Sequence, residues 1–144
     1  MRPVPVTSGR HPFEVAVLAA SAVAGLLLFA TDTSPGSVRE GMPGAVQTVW
    51  QVGLVVAGVV GLVGLWWQGR RLDDGLAVET VGVGGLGTVC AMYTAALFVV
   101  SGTQAIAAGA FVAAVAAASW WRIGQIIKDM HRGVAAAEED GENS

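Results

Sequence analysis

Four long stretches of the chain contain no lysine or arginine and are rich in valine, alanine, leucine and glycine: 13–30, 44–67, 75–100 and 104–121. A helix needs about 20 apolar residues to cross the hydrocarbon core of a bilayer. Inside a bilayer every backbone N–H and C=O needs a partner within the protein, and a helix provides these partners within one segment. The stretches therefore predict an all-α integral membrane protein, a four-helix bundle made of two antiparallel hairpins.

The composition supports this class, because only 13% of the residues are charged, against about 25% in a typical soluble domain. The net charge of -3 gives no reason to expect a nucleic-acid partner. A single cysteine, Cys90, cannot form an internal disulfide, and His11 and His131 lie near opposite ends of the chain. We therefore expect no metal or other cofactor. No catalytic set is recognisable in the sequence, so we do not expect an enzyme.

The first apolar stretch has an alternative interpretation, a secretory signal that is cleaved. It is longer than the usual apolar core of such a signal, and no clean small-x-small cleavage site follows it. Both features favour a membrane helix. The predicted organisation is then an N-terminal segment at 1–12, four membrane helices within 13–121, and a tail at 122–144.

Basic residues in the short connecting segments predict the orientation, because they accumulate on the cytoplasmic side. With both termini in the cytoplasm, only Arg39 of the eight basic residues lies outside. This distribution predicts a multi-pass protein of the cytoplasmic membrane. The seven basic residues on the cytoplasmic side are Arg2, Arg10, Arg70, Arg71, Arg122, Lys128 and Arg132.

Tryptophans stand at the ends of two predicted helices, where indole rings favour the headgroup boundary. Two pairs are expected at one common level on the inner side, and Trp50 is expected at the outer end of the second helix. An old duplication of a helical hairpin is an alternative origin for the pairs. The predicted boundary anchors are Trp50, Trp66, Trp67, Trp120, Trp121, Arg70, Arg71 and Arg122.

Small side chains recur at four-residue spacing, for example Ala16, Ala20 and Ala24 in the first helix. Such faces allow helices to approach closely, within one chain or between copies. The lipid bilayer and further copies of the chain are therefore the expected partners.

The tail carries apolar residues at helical spacing, starting with Ile123 and Ile126, beside Arg122, Lys128 and Arg132. It is either an amphipathic helix on the inner membrane surface or an extension of the fourth helix. The acidic end of the chain is expected to be disordered.

Three polar residues within the apolar stretches form a candidate intramembrane site: Glu79, Tyr93 and Gln51. An ionisable group in a membrane helix is costly and suggests a function. Glu79 either forms an ion pair with Arg70, Arg71 or Arg122, or takes part in moving a proton or an ion. Glu14 is expected at the interface.

The sequence resembles the small four-helix membrane proteins that phages and prophages of actinobacteria encode. Familiar features of such proteins are an acidic residue early in helix three, a tyrosine later in that helix and a charged tail after helix four. The matching positions here are Glu79, Tyr93 and the tail from Arg122. The acidic end departs from the more often basic tails of holins. The stretches that carry the resemblance are HPFEVAVLAASAVAGLLL, WQVGLVVAGVVGLVGLWW, LAVETVGVGGLGTVCAMYTAALF and WWRIGQIIKDM.

This resemblance implies a holin-like protein that oligomerises in the cytoplasmic membrane, although most members have no assigned function. Two alternatives stay open. One is a non-lytic membrane protein that serves as an accessory subunit or modifies the host envelope. The other is a small transporter or channel that uses Glu79.

Overall fold

The computed structural model describes residues 12–67 and 72–142, with side chains at 12–67 and 75–128. Within these ranges the chain forms helices and turns and no strand, which confirms the all-α class. Most of the predicted N-terminal segment lies outside the described residues, and so do Arg70 and Arg71.

The described part of the chain forms five α-helices and one turn of 3-10 helix. A short helix lies in the loop between the first and second apolar stretches. The turn of 3-10 helix begins at Gly102, whose positive φ of 51° suits a residue without Cβ. The bounds are α1 Pro12–Ala30, α2 Gly36–Gly41, α3 Gly44–Trp67, α4 Leu72–Ser101, the 3-10 turn Gly102–Ala105, and α5 Ile106–Glu142.

Three helical stretches of the described chain are long and apolar enough to cross a membrane: Pro12–Ala30, Gly44–Trp67 and Gly75–Lys128. The third reverses direction at the 3-10 turn. A Cβ at Gly109 of α5 would lie 2.8 Å from the ring of Phe98, close to the turn, whereas a Cβ at Gly87 would lie 3.1 Å from Trp120, further away. The third stretch is therefore an antiparallel hairpin of α4 and α5.

The four long helices lie in the order α1, α3, α4, α5, because α3 packs against both α1 and α4, and α4 packs against both α3 and α5. Glycines set the closest approach. A Cβ at Gly82 of α4 would touch the backbone of Gly61 in α3, and a Cβ at Gly64 would touch the backbone of Glu79. The backbones of α3 and α4 are thus in direct contact, which only residues without side chains permit.

Helix α1 packs through a different face from the one that the alanine spacing suggests. Leu18, Ser21 and Ala22 are buried against α3, whereas Ala16 and Ala20 are exposed. The Ser21 hydroxyl donates a hydrogen bond of 2.9 Å to the carbonyl of Leu54. This hydrogen bond and the packing of Leu18 and Ala22 against Gly58 and Gly61 hold that face of α1 against α3.

Helix α5 continues far beyond the predicted end of the fourth span at 121, without a break as far as Glu142. Ile126 is 1% exposed, and the Cδ1 atom of Ile123 lies 3.2 Å from a Cβ at Gly84. These tail residues extend the fourth helix along α4. The stretch expected to be disordered is helical as far as Glu142, and its last two residues lie outside the described ones. This helix is in keeping with the high helix propensity of alanine and glutamate.

We predict that Gly82→Ala lowers the free energy of unfolding by about 1–3 kcal/mol, because the added methyl group meets the Gly61 backbone. Unfolding of the purified protein in mixed detergent micelles measures the effect. Gly124→Ala is the matched control, since a Cβ there meets nothing within 4 Å. It should leave stability unchanged or raise it. Equal effects of the two substitutions would contradict the contact.

Candidate functional site

A carboxylate is buried where α3 and α4 come closest. Glu79 is 0% exposed, and Gly64 of α3 lies directly against its backbone. Because Gly64 has no side chain, α3 approaches α4 closely enough to shield Glu79 from its surroundings. Such a group in an apolar setting requires a charged or hydrogen-bonding partner.

Arg122 of α5 is that partner. Its Nη2 and Nε atoms donate hydrogen bonds of 2.8 Å and 3.2 Å to Oε1 of Glu79. Of the three arginines predicted to pair with Glu79, Arg122 is bonded to it, while Arg70 and Arg71 lie outside the described residues. Charge-assisted hydrogen bonds of this kind are about twice as strong as those between neutral groups.

A second carboxylate joins the same guanidinium. Oε2 of Glu14, on α1, lies 3.4 Å from Nε of Arg122. Sequence reasoning treats Glu14 as interfacial and misses this contact between two helices that are far apart in the sequence. The Arg122 side chain thus links α1 to α4, and we call Glu14, Glu79 and Arg122 the ion cluster.

The Arg122 side chain reaches back toward the end of the bundle where α4 begins. Ile123 packs near Gly84, so the backbone of Arg122 lies beyond Glu79 along α4, by about 8 Å at the rise of an α-helix. A long side chain bridges this distance, with its stem along apolar surface and its guanidinium at the carboxylates. The arginine backbone is consequently deeper in the bundle than its charge.

The two tryptophan pairs do not share the level that the sequence suggests. Trp67 lies one turn after Gly64, which is opposite Glu79, whereas Trp120 lies against Gly87. On α4 the two levels are separated by about 15 Å. All four indole side chains are exposed. One headgroup boundary therefore does not pass through both tryptophan pairs. The reason is that α5 continues along α4 beyond Trp121, its predicted end.

A groove of about 310 Å³ opens between α1 and α5, with α4 as its floor. It exists because α1 and α5 pack on α3 and α4 but not closely on each other in the described chain. One end is lined by polar residues, namely Glu14, Arg122 and Gln125. The walls between there and Val115 are mainly apolar, with Leu18 from α1 among them. The volume is at the lower limit of about 300–1,000 Å³ for small-molecule sites.

The other two members of the predicted polar site are not near Glu79. Tyr93 is fourteen residues away on the same helix, about 21 Å at 1.5 Å per residue. Gln51 donates a hydrogen bond of 2.9 Å to the hydroxyl of Ser34, near the opposite end of α3 from Gly64. The predicted three-residue site therefore separates into the ion cluster at one end and unrelated polar contacts at the other.

Trp50 is a core residue rather than an exposed boundary residue. Its side chain is 3% exposed, its ring lies 5.4 Å from that of Tyr93, and Nε1 donates a hydrogen bond of 3.1 Å to the carbonyl of Val89. Helix α2 covers the same region through Val38, which is fully buried. Because the indole N–H finds its acceptor on α4, the ring gains nothing from a position at the headgroups.

Comparison of the chain with protein-family models, with curated proteins and with solved structures gives no match. The resemblance to phage-encoded membrane proteins therefore remains a hypothesis. A functional proposal for this chain depends on the geometry of the ion cluster and of the groove beside it.

We predict that Glu79→Gln and Arg122→Gln each lower the free energy of unfolding by about 3 kcal/mol, because each leaves a charge in the bundle without its principal partner. The double variant should lose about 1–3 kcal/mol less than the two single losses together. Lys128→Gln, which changes an exposed cation on the same helix, is the control and should have little effect. Strictly additive losses in detergent unfolding would refute the coupling.

Proposed function

We propose that the chain is a four-pass protein of the cytoplasmic membrane, with both termini in the cytoplasm, that binds another membrane component in the groove. The proposed spans are α1, α3, α4 and the part of α5 up to Lys128. The role is one of binding, as for an accessory protein or a factor that alters the envelope, rather than catalysis.

The lengths and charges of the helices support the membrane part of this proposal. Residues 106–128 of α5 would span about 33 Å at 1.5 Å per residue, enough for a hydrocarbon core of about 30 Å. Alone, the predicted fourth stretch at 104–121 is shorter, and half of its residues are alanine. The orientation rests on the placement of seven of the eight basic residues in the cytoplasm.

The groove carries the functional part of the proposal. Its walls are mainly apolar, but a buried ion pair lies at one end and part of the Arg122 side chain lines it. Membrane proteins rarely place charges next to lipid unless those charges have a role. A binding site with apolar walls and a few polar groups at fixed positions is the usual design for selective ligand recognition.

A second candidate function is the holin-like one, in which copies of the chain associate and open lesions. The exposed alanine face of α1 favours it, since Ala16, Ala20 and Ala24 are not used in packing within one chain. Faces of small residues at this spacing are a common contact between membrane helices. In this role the protein would act through other copies of itself.

A small transporter or channel using Glu79 is the third candidate. A transporting carboxylate has to exchange partners during its cycle. Glu79 is fully buried and bonded to Arg122 at 2.8 Å. This geometry supports a structural role for Glu79 more than a transporting one.

We predict the topology as follows, in a chain whose native thiol is removed by Cys90→Ser. Cysteines introduced at Glu40 and Thr103, which are exposed in the structure, should react with a membrane-impermeant thiol reagent in intact cells. A cysteine at Gln68 should react only after permeabilisation, because the second loop is cytoplasmic. Labelling of Gln68→Cys in intact cells would overturn the orientation.

We predict that high expression in a bacterium leaves the membrane potential and growth unchanged, as expected for a binding protein. A sudden collapse of the potential, read with a voltage-sensitive dye, would instead support the holin-like candidate. In that case Ala20→Ile should delay the collapse, because it disturbs the alanine face, while the control Val23→Ile, also exposed on α1, should not.

A further inference from the structure

The α5 wall of the groove is about as long as one leaflet of a bilayer is deep. On α5 its lining runs from Val115 to Gln125, about 15 Å at the rise of a helix. The hydrocarbon core is about 30 Å thick. Along α5 the groove thus extends over about half of that core, the depth that one acyl chain of one leaflet occupies. The α1 wall, from Phe13 to Leu18, covers the part next to the ion cluster.

The polarity of the groove changes along the same direction. Glu14, Arg122 and Gln125 line the end nearest to Glu79, while Val115 lies at the other end. A ligand that fits must be apolar along most of its length and polar at one end. In the orientation proposed above, that polar end faces the cytoplasmic headgroups, so a phospholipid of the inner leaflet has the matching shape.

The two charged residues that line the groove have opposite signs. The side chains of Glu14 and Arg122 are 14% and 13% exposed, so both keep some accessible surface. The bonds from Arg122 to the carboxylates involve Nε and Nη2, and a guanidinium has two more N–H donors on Nη1. Because Glu79 shares the same guanidinium, the ion cluster has two carboxylates and one guanidinium. A headgroup that carries an ammonium next to its phosphate complements this cluster better than a purely anionic headgroup.

We infer that the groove holds one acyl chain of a cytoplasmic-leaflet phospholipid whose headgroup carries a phosphate and a primary ammonium. This inference rests on the proposed function and names its ligand. The phosphate accepts hydrogen bonds from Arg122 and from the Gln125 amide, and the ammonium donates to Glu14. All of these contacts are non-covalent.

The chemistry of the headgroup distinguishes this lipid from its competitors. A glycerol headgroup leaves the phosphate without a cation, so its net negative charge meets the carboxylate of Glu14 unfavourably. A trimethylammonium group has the right charge but no N–H to donate. A primary ammonium alone offers both charge and donors, and hydrogen bonds to charged groups are the stronger class.

The test is a competition measured by native mass spectrometry on the full chain. The purified protein is freed of lipid in mild detergent and given equal amounts of phosphatidylethanolamine, phosphatidylcholine and phosphatidylglycerol with identical acyl chains. We expect one retained lipid, with phosphatidylethanolamine preferred over phosphatidylglycerol on the order of tenfold, as one charge-assisted hydrogen bond allows. Glu14→Gln should remove the preference while a lipid is still retained.

Two tryptophan variants locate the binding. Ala118→Trp fills the groove, because Ala118 lines it, and should abolish retention. Ala117→Trp is the matched control, since Ala117 is exposed one residue away outside the lining, and should retain lipid. Thermal unfolding of both variants checks that they fold alike, and Val115→Trp offers a second block of the groove if Ala118→Trp does not fold.

The outcomes separate the two proposals. Retention that the groove variants abolish but that shows no headgroup preference, or favours phosphatidylglycerol, overturns the lipid assignment and leaves a groove-binding protein. No retained lipid, or equal retention in Ala117→Trp and Ala118→Trp, overturns occupancy of the groove by lipid. A wild-type dimer that Ala118→Trp converts to a monomer, with no lipid bound, shows that a second copy occupies the groove and overturns the inference.

Discussion

The attachment of one guanidinium to two carboxylates is the interaction on which the arrangement of α1, α4 and α5 depends. A fully buried carboxylate such as Glu79 is costly among apolar helices, and several kcal/mol of desolvation must be offset by charge and hydrogen bonding. Arg122 meets this requirement only if α5 lies along α4 with its arginine within reach of Glu79. Glu14 then fixes the start of α1 on the same side. Within the described residues, Arg122 thus ties these three helices to one another.

The glycine contacts and the ion cluster depend on each other. Gly64 and Gly82 let α3 and α4 touch through their backbones, and this close approach is what removes Glu79 from its surroundings. Without the close contact of α3 and α4, the Glu79 carboxylate would be more hydrated and less dependent on Arg122. Without the charge of Glu79, α5 could pack along α4 in several registers, because helix faces made of small residues permit this. Packing therefore provides proximity, and the ion pair provides a defined register.

The sequence predicts the helices well and the contacts between them poorly. Apolar length gives α1, α3 and α4 directly, and the cost of an intramembrane charge indicates that Glu79 needs an arginine. Trp50 could not be placed, because an indole suits both a headgroup boundary and a buried hydrogen bond, and only the nearby carbonyl of Val89 decides between them. The inward face of α1 carries Ser21, whose hydrogen-bond partner Leu54 lies far along the chain. A scan for charges at the edges of the apolar stretches would have found Glu14 together with Arg122.

Selectivity at such a groove has to come from its polar end. Lipid tails are as apolar as leucine, so walls formed by residues such as Leu18 and Val115 distinguish neither one acyl chain from another nor a chain from a partner helix. A partner helix could place only one of its side chains at the ion cluster. Every phospholipid, in contrast, carries its polar headgroup at the membrane surface. In the proposed orientation the charged residues of the groove lie at its headgroup end and its apolar residues lie deeper. A lipid would therefore contact both the polar and the apolar part of the site. A helix that crosses the whole bilayer would leave half of its length without a groove to enter.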